Sequence, residues 1–168
     1  MITQMKWIDR KFNFDFPLDI YPSLLERLRF TPMRVEQLVT GLDEATITAK
    51  PNGKWSIKEQ VGHLATVERL WDKRLNQFLA GEKELIGADM TNQPTEKENF
   101  NDWEIDKLVE LFKKVRSDFM FRLDNLSENE IGITALHPRL QKPMRLIDMV
   151  YFVAEHDDQE LALMRAKL

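Results

Sequence analysis

The sequence predicts an all-α fold, a four-helix bundle, on three observations. Four long stretches repeat apolar residues at helical spacing, little of the chain alternates as a strand would, and capping signals stand at helix starts. At 168 residues the chain is long enough to bury a sizeable core, and no repeat, low-complexity tract or boundary divides residues 1–168, so a single domain is expected.

Phe12, Phe14 and Phe16 alternate with polar residues, which predicts a short extended segment laid across the bundle. The first helix is expected from about Ile20 to Gly41, with Leu24, Leu25, Leu28, Val35, Leu38 and Val39 as its apolar stripe and Pro32 bending it. The second starts sharply: Ser56 with Glu59 three residues on forms a capping box, and Ile57, Val61, Leu64, Val67, Leu70, Trp71, Leu75 and Phe78 carry the stripe towards Gly81.

The third helix is expected to open near Asp102. Trp103, Ile105, Leu108, Leu111, Phe112, Val115, Phe119, Phe121, Leu123 and Leu126 lie at bundle-like spacing, and the Glu110/Lys114 pair marks an exposed face. Ser127 and Glu130 repeat the capping-box pattern, fit for a short helix in the following connection. Pro143, a favoured first-turn residue, is expected to begin the fourth helix, which runs through Leu146, Met149, Val150, Val153, Leu161 and Met164 almost to the C-terminus.

Charge and composition remove several classes of function. With 24 Lys plus Arg against 28 Asp plus Glu, net −4, no strong basic field exists to collect nucleic acid. The N-terminal Met1–Arg10 stretch lacks the apolar core of a secretory signal, and no apolar run reaches membrane-spanning length, so a cytoplasmic protein without a membrane partner is expected. The absence of cysteine leaves no disulfide, no thiolate nucleophile and no thiolate ligand. Any metal must be held by His, Asp and Glu. No Gly-x-Ser-x-Gly elbow, phosphate-cradling loop or His-Glu-x-x-His motif is present, and six glycines make a dinucleotide fold a poor fit.

His63 lies near the start of the second predicted helix, and His156 and Glu160 are four apart on the fourth, hence on one helix face. At 1.5 Å per residue, His63 sits roughly 10 Å from the start of its helix and the pair roughly 12 Å from the end of theirs. The three reach one level only if helices two and four are antiparallel. The connection from Gly81 to Asn101 is long for a bundle and is expected to cross it between helices two and three. Two histidines and a carboxylate suit Zn, Ni, Fe or Mn, and three protein ligands leave positions open for water or substrate. Spacing alone leaves a second reading open: His156 as a solvated histidine on an acidic helix end and His63 as a satisfied core histidine.

Other polar residues are expected to play local roles. His137 precedes Pro138 and is expected to order its loop rather than bind metal. Asn92, Thr95 and Asn99 suit turns, Arg139 and Arg145 suit either an anionic substrate or surface acids, and Trp55 and Trp71 read as core.

From Lys6-Trp7-Ile8-Asp9-Arg10 and Phe12-Asn13-Phe14 through Tyr21-Pro22 and Glu26-Arg27-Leu28, the chain resembles the DinB-like superfamily of bacterial bundles, which includes the YfiT-type group assigned as metal-dependent hydrolases. Lys54-Trp55-Ser56 through Glu59 to Gly62-His63-Leu64 is similar to the family's W-S-x-x-E-x-x-x-H-L motif, and Ala88-Asp89-Met90-Thr91-Asn92 to its loop after helix two. His137-Pro138-Arg139-Leu140, Pro143-Met144-Arg145-Leu146 and Phe152-Val153-Ala154-Glu155-His156-Asp157-Asp158 continue the likeness over nearly the whole chain.

The resemblance implies a crossover bundle, frequently a homodimer, with a divalent metal held by one His of helix two and two residues four apart on helix four. His63 and His156 match two of those positions; Glu160 stands where many relatives have His, and Gln159 also stands where His is common. The related mycothiol-dependent maleylpyruvate isomerases are similar in using two His and one Glu, arranged differently. The resemblance thus implies a metal-dependent enzyme, a thiol transferase or hydrolase, that activates a low-molecular-weight thiol or water for a small-molecule substrate. The alternative is a catalytically inactive, stress-related dimeric bundle with a degenerate metal site.

Overall fold

The computed structural model describes residues 4–91 and 93–168; Met1, Ile2, Thr3 and Asn92 lie outside the described residues. Four long helices form the bundle: α1 (Tyr21–Val39), α3 (Ile57–Leu79), α5 (Ile105–Asp124) and α7 (Leu146–Arg165). Short helices α2 (Glu44–Thr48), α4 (Gln93–Lys97) and α6 (Glu128–Ile131) lie in the connections. Strands β1 (Thr134–His137) and β2 (Lys142–Arg145) pair antiparallel, Thr134 opposite Arg145 and His137 opposite Lys142.

Side-chain contacts set the helix directions. Gln60 meets Glu160, His63 meets His156 and Trp71 meets Phe152, so α3 and α7 run antiparallel as the sequence predicts. Glu68 meets Arg116 and Asp72 meets Arg122, which makes α3 and α5 parallel. Parallel neighbours cannot be joined by a tight turn, and the segment after Gly81 accordingly crosses the bundle, touching β1 where Leu85 N–H donates to the Leu136 carbonyl and packing α4 against α3.

Each helix contributes apolar residues at two levels. Leu24, Leu28, Trp71, Phe119, Phe152 and Val153 belong to one buried cluster; Val35, Val61, Leu64, Leu108, Phe112 and Leu161 belong to the other. A polar layer lies between them. Pro32 has no N–H to give the Leu28 carbonyl one turn back; that carbonyl instead accepts from Arg116 Nη1 at 2.9 Å. The same guanidinium binds Glu68 at 2.6 Å and Asp157 at 2.7 Å, all three side chains being buried. Burial by itself depresses the Arg116 pKa, but Asp157 and Glu68 more than reverse this, and Arg116 stays charged.

Several local expectations change in the structure. Pro143 lies in β2 and α7 starts at Leu146, because the Asp148 carboxylate caps the Arg145 N–H at 2.8 Å while residues 142–145 are taken up by the hairpin. Phe121 is 73% exposed rather than part of the α5 stripe. Glu110 pairs with Lys113, and Lys114 with Asp118. Both predicted capping boxes are present, at Ser56/Glu59 and Ser127/Glu130.

The Phe12–Phe16 segment lies across the bundle in non-helical backbone. Phe12 is buried, and the carbonyls of Phe12, Phe14 and Phe16 accept from Lys142 and Arg145. The segment closes the end of the bundle near α7. Among the described residues no helix is long and apolar enough to cross a membrane.

Candidate metal centre

The capping box that starts α3 sets where His63 falls on the helix, two turns in. Gly62 beside it has a packing reason: a Cβ there would lie 2.3 Å from the Phe100 ring, so only glycine admits the crossover this close to α3. That approach brings Thr95 of α4 to His63, with Oγ1 3.3 Å from Nδ1. When His63 Nδ1–H donates to this hydroxyl, Nε2 keeps its lone pair.

From α7, His156 Nε2 stands 3.3 Å from His63 Nε2. Glu160 lies one turn on, and one donor atom from each of His63, His156 and Glu160 falls within 4.8 Å of the other two. His156 is 5% exposed and Glu160 7%, while His63 is partly exposed. Burial pushes both histidines down to about 3, the neighbouring imidazole adding to the effect at His63 and Arg116 at His156. Both rings are therefore neutral at pH 7, the form that binds metal.

Glu160 is in the opposite position. Burial raises its carboxyl to about 7, opposed by the hydrogen bond from Gln60 and by Lys167 and assisted by Asp157. Gln60 Nε2 donates to Glu160 at 3.2 Å, and Lys167 holds the Gln60 carbonyl oxygen. Gln159 points elsewhere: its amide donates to the Met5 carbonyl, so it belongs to the N-terminal segment and not to the cluster.

The residues fit a cation. Two ligands bound at 2.0–2.1 Å to a tetrahedral ion stand about 3.3 Å apart, the separation of the two Nε2 atoms. His156 Nδ1 and Asp157 Oδ1 are both buried without a hydrogen-bond partner among the described residues and lie 4.0 Å from each other. A metal-bound histidine commonly gives its second N–H to a carboxylate, and these two atoms are the pair placed to do so. Trp7 and Trp71 meet His156 edge-on at 5.2 and 5.7 Å, and Trp55 packs on His63 at 4.8 Å. Trp71 is core as expected, whereas Trp55 lies against the site.

The structure brings together the three residues that spacing singles out, His63, His156 and Glu160, and adds neighbours that spacing does not mark. Thr95 suits a turn by residue type, and the one sequence signal for Gln60 is its place three residues before His63 on the same helix face. The Arg116–Glu68–Asp157 layer had no local signature, because its members come from three helices. Of the other candidates, His137 does order its turn, accepting from the Leu140 N–H. Arg145 is paired with Asp148. Asn99 adopts a left-handed conformation (φ 47°) and serves the loop.

Fold and cluster together define a class: a crossover four-helix bundle with two histidines and a carboxylate gathered between antiparallel helices. The chain belongs to the DinB superfamily, whose sequence profile matches residues 27–164. Among solved structures it is similar to YfiT from Bacillus subtilis, described as a probable metal-dependent hydrolase with an unusual four-helix bundle topology. That likeness has a TM-score of 0.82 and 14% identity over 94% of this chain and 91% of that one. It is also similar to the mycothiol-dependent maleylpyruvate isomerase, at a TM-score of 0.65 and 14% identity over 88% of this chain. The match spans 60% of that protein's length. No curated protein matches the sequence.

Proposed function

We propose that His63, His156 and Glu160 hold a divalent cation, Zn, Ni, Fe or Mn, and that the protein uses it to act on a small molecule. The observation that carries this reading is the facing pair of neutral imidazoles with Nε2 atoms 3.3 Å apart and a buried carboxylate alongside. A cation held there supplies Lewis acidity, which lowers the pKa of a coordinated water or thiol.

The chain's own residues do the rest. Thr95 orients His63, Gln60 steadies Glu160, and Trp71 excludes water from the buried side, at His156. His63 is the partly exposed member of the cluster, so a reactant approaches on its side, beneath the crossover. The reaction we infer is transfer or hydrolysis by an activated low-molecular-weight thiol or water. Similarity to a mycothiol-dependent isomerase and to a probable metal-dependent hydrolase supports that range of chemistry.

We further propose that the chain is a single domain and works as a homodimer. Phe30 and Met33 on α1 and Phe121 on the neighbouring α5 are exposed apolar side chains that a second copy would cover.

Metal analysis of protein purified without chelator or a nickel column tests the central reading. Stoichiometric metal, lost in His63→Ala, is expected. A metal-free protein whose melting temperature ignores added Zn, Ni, Mn and Fe would overturn it, because a ligand of the native state must raise stability. The bundle would then be a binding protein with a degenerate site.

A further inference from the structure

A second cluster, beside Phe152 one turn of α7 before His156, is cationic and has no ion-paired acid among the described residues. Arg74 of α3 is 1% exposed. Its Nε and Nη2 donate to the Ile86 carbonyl at 3.1 and 2.9 Å, and Nη1 stands 3.2 Å from His137 Nε2. Arg139, in the β1–β2 turn, donates through Nη1 to the Ile8 carbonyl, while its buried Nη2 has no partner among the described residues. Among the described residues neither guanidinium makes an ion pair. Acids are not scarce in this chain: Arg10, Arg27, Arg116, Arg122 and Arg145 each have at least one.

Hydrogen-bond accounting at His137 points the same way. The Leu140 N–H faces Nδ1 at 3.2 Å and Arg74 Nη1 faces Nε2 at 3.2 Å; a neutral ring accepts at one nitrogen only, so in either tautomer one of the two contacts sets donor against donor. With the backbone N–H served at Nδ1, Nε2–H faces Arg74 Nη1, which is also only a donor. Two donors in contact are both satisfied by an acceptor that bridges them from the side. Burial and the two arginines hold His137 down to about 3, so protonating the ring offers no escape and would add a third positive charge.

We propose that Arg74, Arg139 and His137 form a binding site for the oxoanion of a small molecule, a carboxylate or a phosphate group. Arg74 and Arg139 supply charge and N–H donors, and His137 supplies a neutral N–H. The site stands against the aromatic wall that also meets the metal cluster. The Arg139 guanidinium lies 5.9 Å above the Phe152 ring and that of Arg74 lies 5.6 Å from Trp71, the tryptophan packed on His156. The proposal does not depend on a metal, since none of its donors belongs to the His63 cluster.

Titration of metal-free protein, chelated and then dialysed into Tris chloride, with inorganic phosphate and separately with succinate tests it. Saturable binding by calorimetry is expected for at least one of them, with the His137 ring resonances in NMR moving along the same curve. Phosphate alone or succinate alone would name the class. Arg139→Gln should weaken binding at least tenfold, and Arg74→Lys likewise, by losing the planar fork; Lys114→Gln, on an exposed face, should leave it unchanged. Absence of saturable binding to either anion would overturn the proposal, showing a site satisfied by water alone. Equal weakening in Lys114→Gln, or His137 resonances that do not move, would overturn it as general ionic association.

Discussion

Replacing Glu160 by glutamine keeps the size of the side chain and removes its charge, and the structure sets the consequence. Burial raises the Glu160 carboxyl from its ordinary 4.5 to about 7 in the folded chain. A folded pKa above the unfolded one means that stability is fully present below about pH 4.5 and is lost as pH rises to about 7. At about 1.4 kcal/mol per pKa unit, that loss is about 3 kcal/mol. In chelated protein, urea unfolding from pH 5 to pH 8 should show the wild type losing about 2.5 kcal/mol relative to Glu160→Gln, the remainder of the loss falling below pH 5. The three histidines titrate in both proteins and cancel in the difference. Metal reverses the order. At a free concentration about 100 times its Kd, a cation adds about 2.7 kcal/mol to the wild type, and Glu160→Gln, with one anionic ligand fewer, should gain far less. A parallel pair of pH curves, or equal stabilisation of both proteins by Zn, Ni, Mn and Fe, would refute the reasoning.

Three further outcomes are expected. Arg116→Met strands Glu68 and Asp157 without their cation and the Leu28 carbonyl without a donor; it should cost about 3–5 kcal/mol in urea unfolding, and a loss under about 1 kcal/mol would contradict the polar layer as drawn. Gly62→Ala, which elsewhere in a helix would stabilise by up to about 1 kcal/mol, should instead destabilise by about 1–3 kcal/mol. It should also disturb the His63 ring signals in NMR, because Phe100 and the Thr95 segment must move. Phe121→Ser should leave the folding free energy within about 0.5 kcal/mol of wild type and, if α1 and α5 form the dimer face, shift sedimentation from dimer to monomer.

The apolar periods and the two capping boxes made the four long helices legible, since both signals are local to a few turns. The limits of local reading show in particular residues. Pro143 looks like a helix starter, yet pairing of residues 142–145 with 134–137, Pro143 opposite Leu136, captures it, because neither four-residue strand is long enough to show a period of its own. Phe121 fits the α5 stripe by residue type, but its position turns it to the outside of the bundle.

The site divides along the same line. Sequence by itself determined that any metal would be held by His and carboxylate, that His156 and Glu160 share a face, and that His63 could meet them only between antiparallel helices. These conclusions need no more than helix pitch and the absence of cysteine. Tertiary structure alone decided what surrounds those residues: Thr95 at His63, Gln60 at Glu160, Asp157 and Arg116 behind His156, and Arg74 with Arg139 left without an acid. The bonds Thr95–His63, Arg116–Asp157, Arg74–His137 and Gln60–Glu160 join side chains 32, 41, 63 and 100 residues apart. Burial and charge pairing arise only when helices from distant parts of the chain close on one another. They set Glu160 near 7 and both site histidines near 3, and so determine whether the cluster can hold a cation.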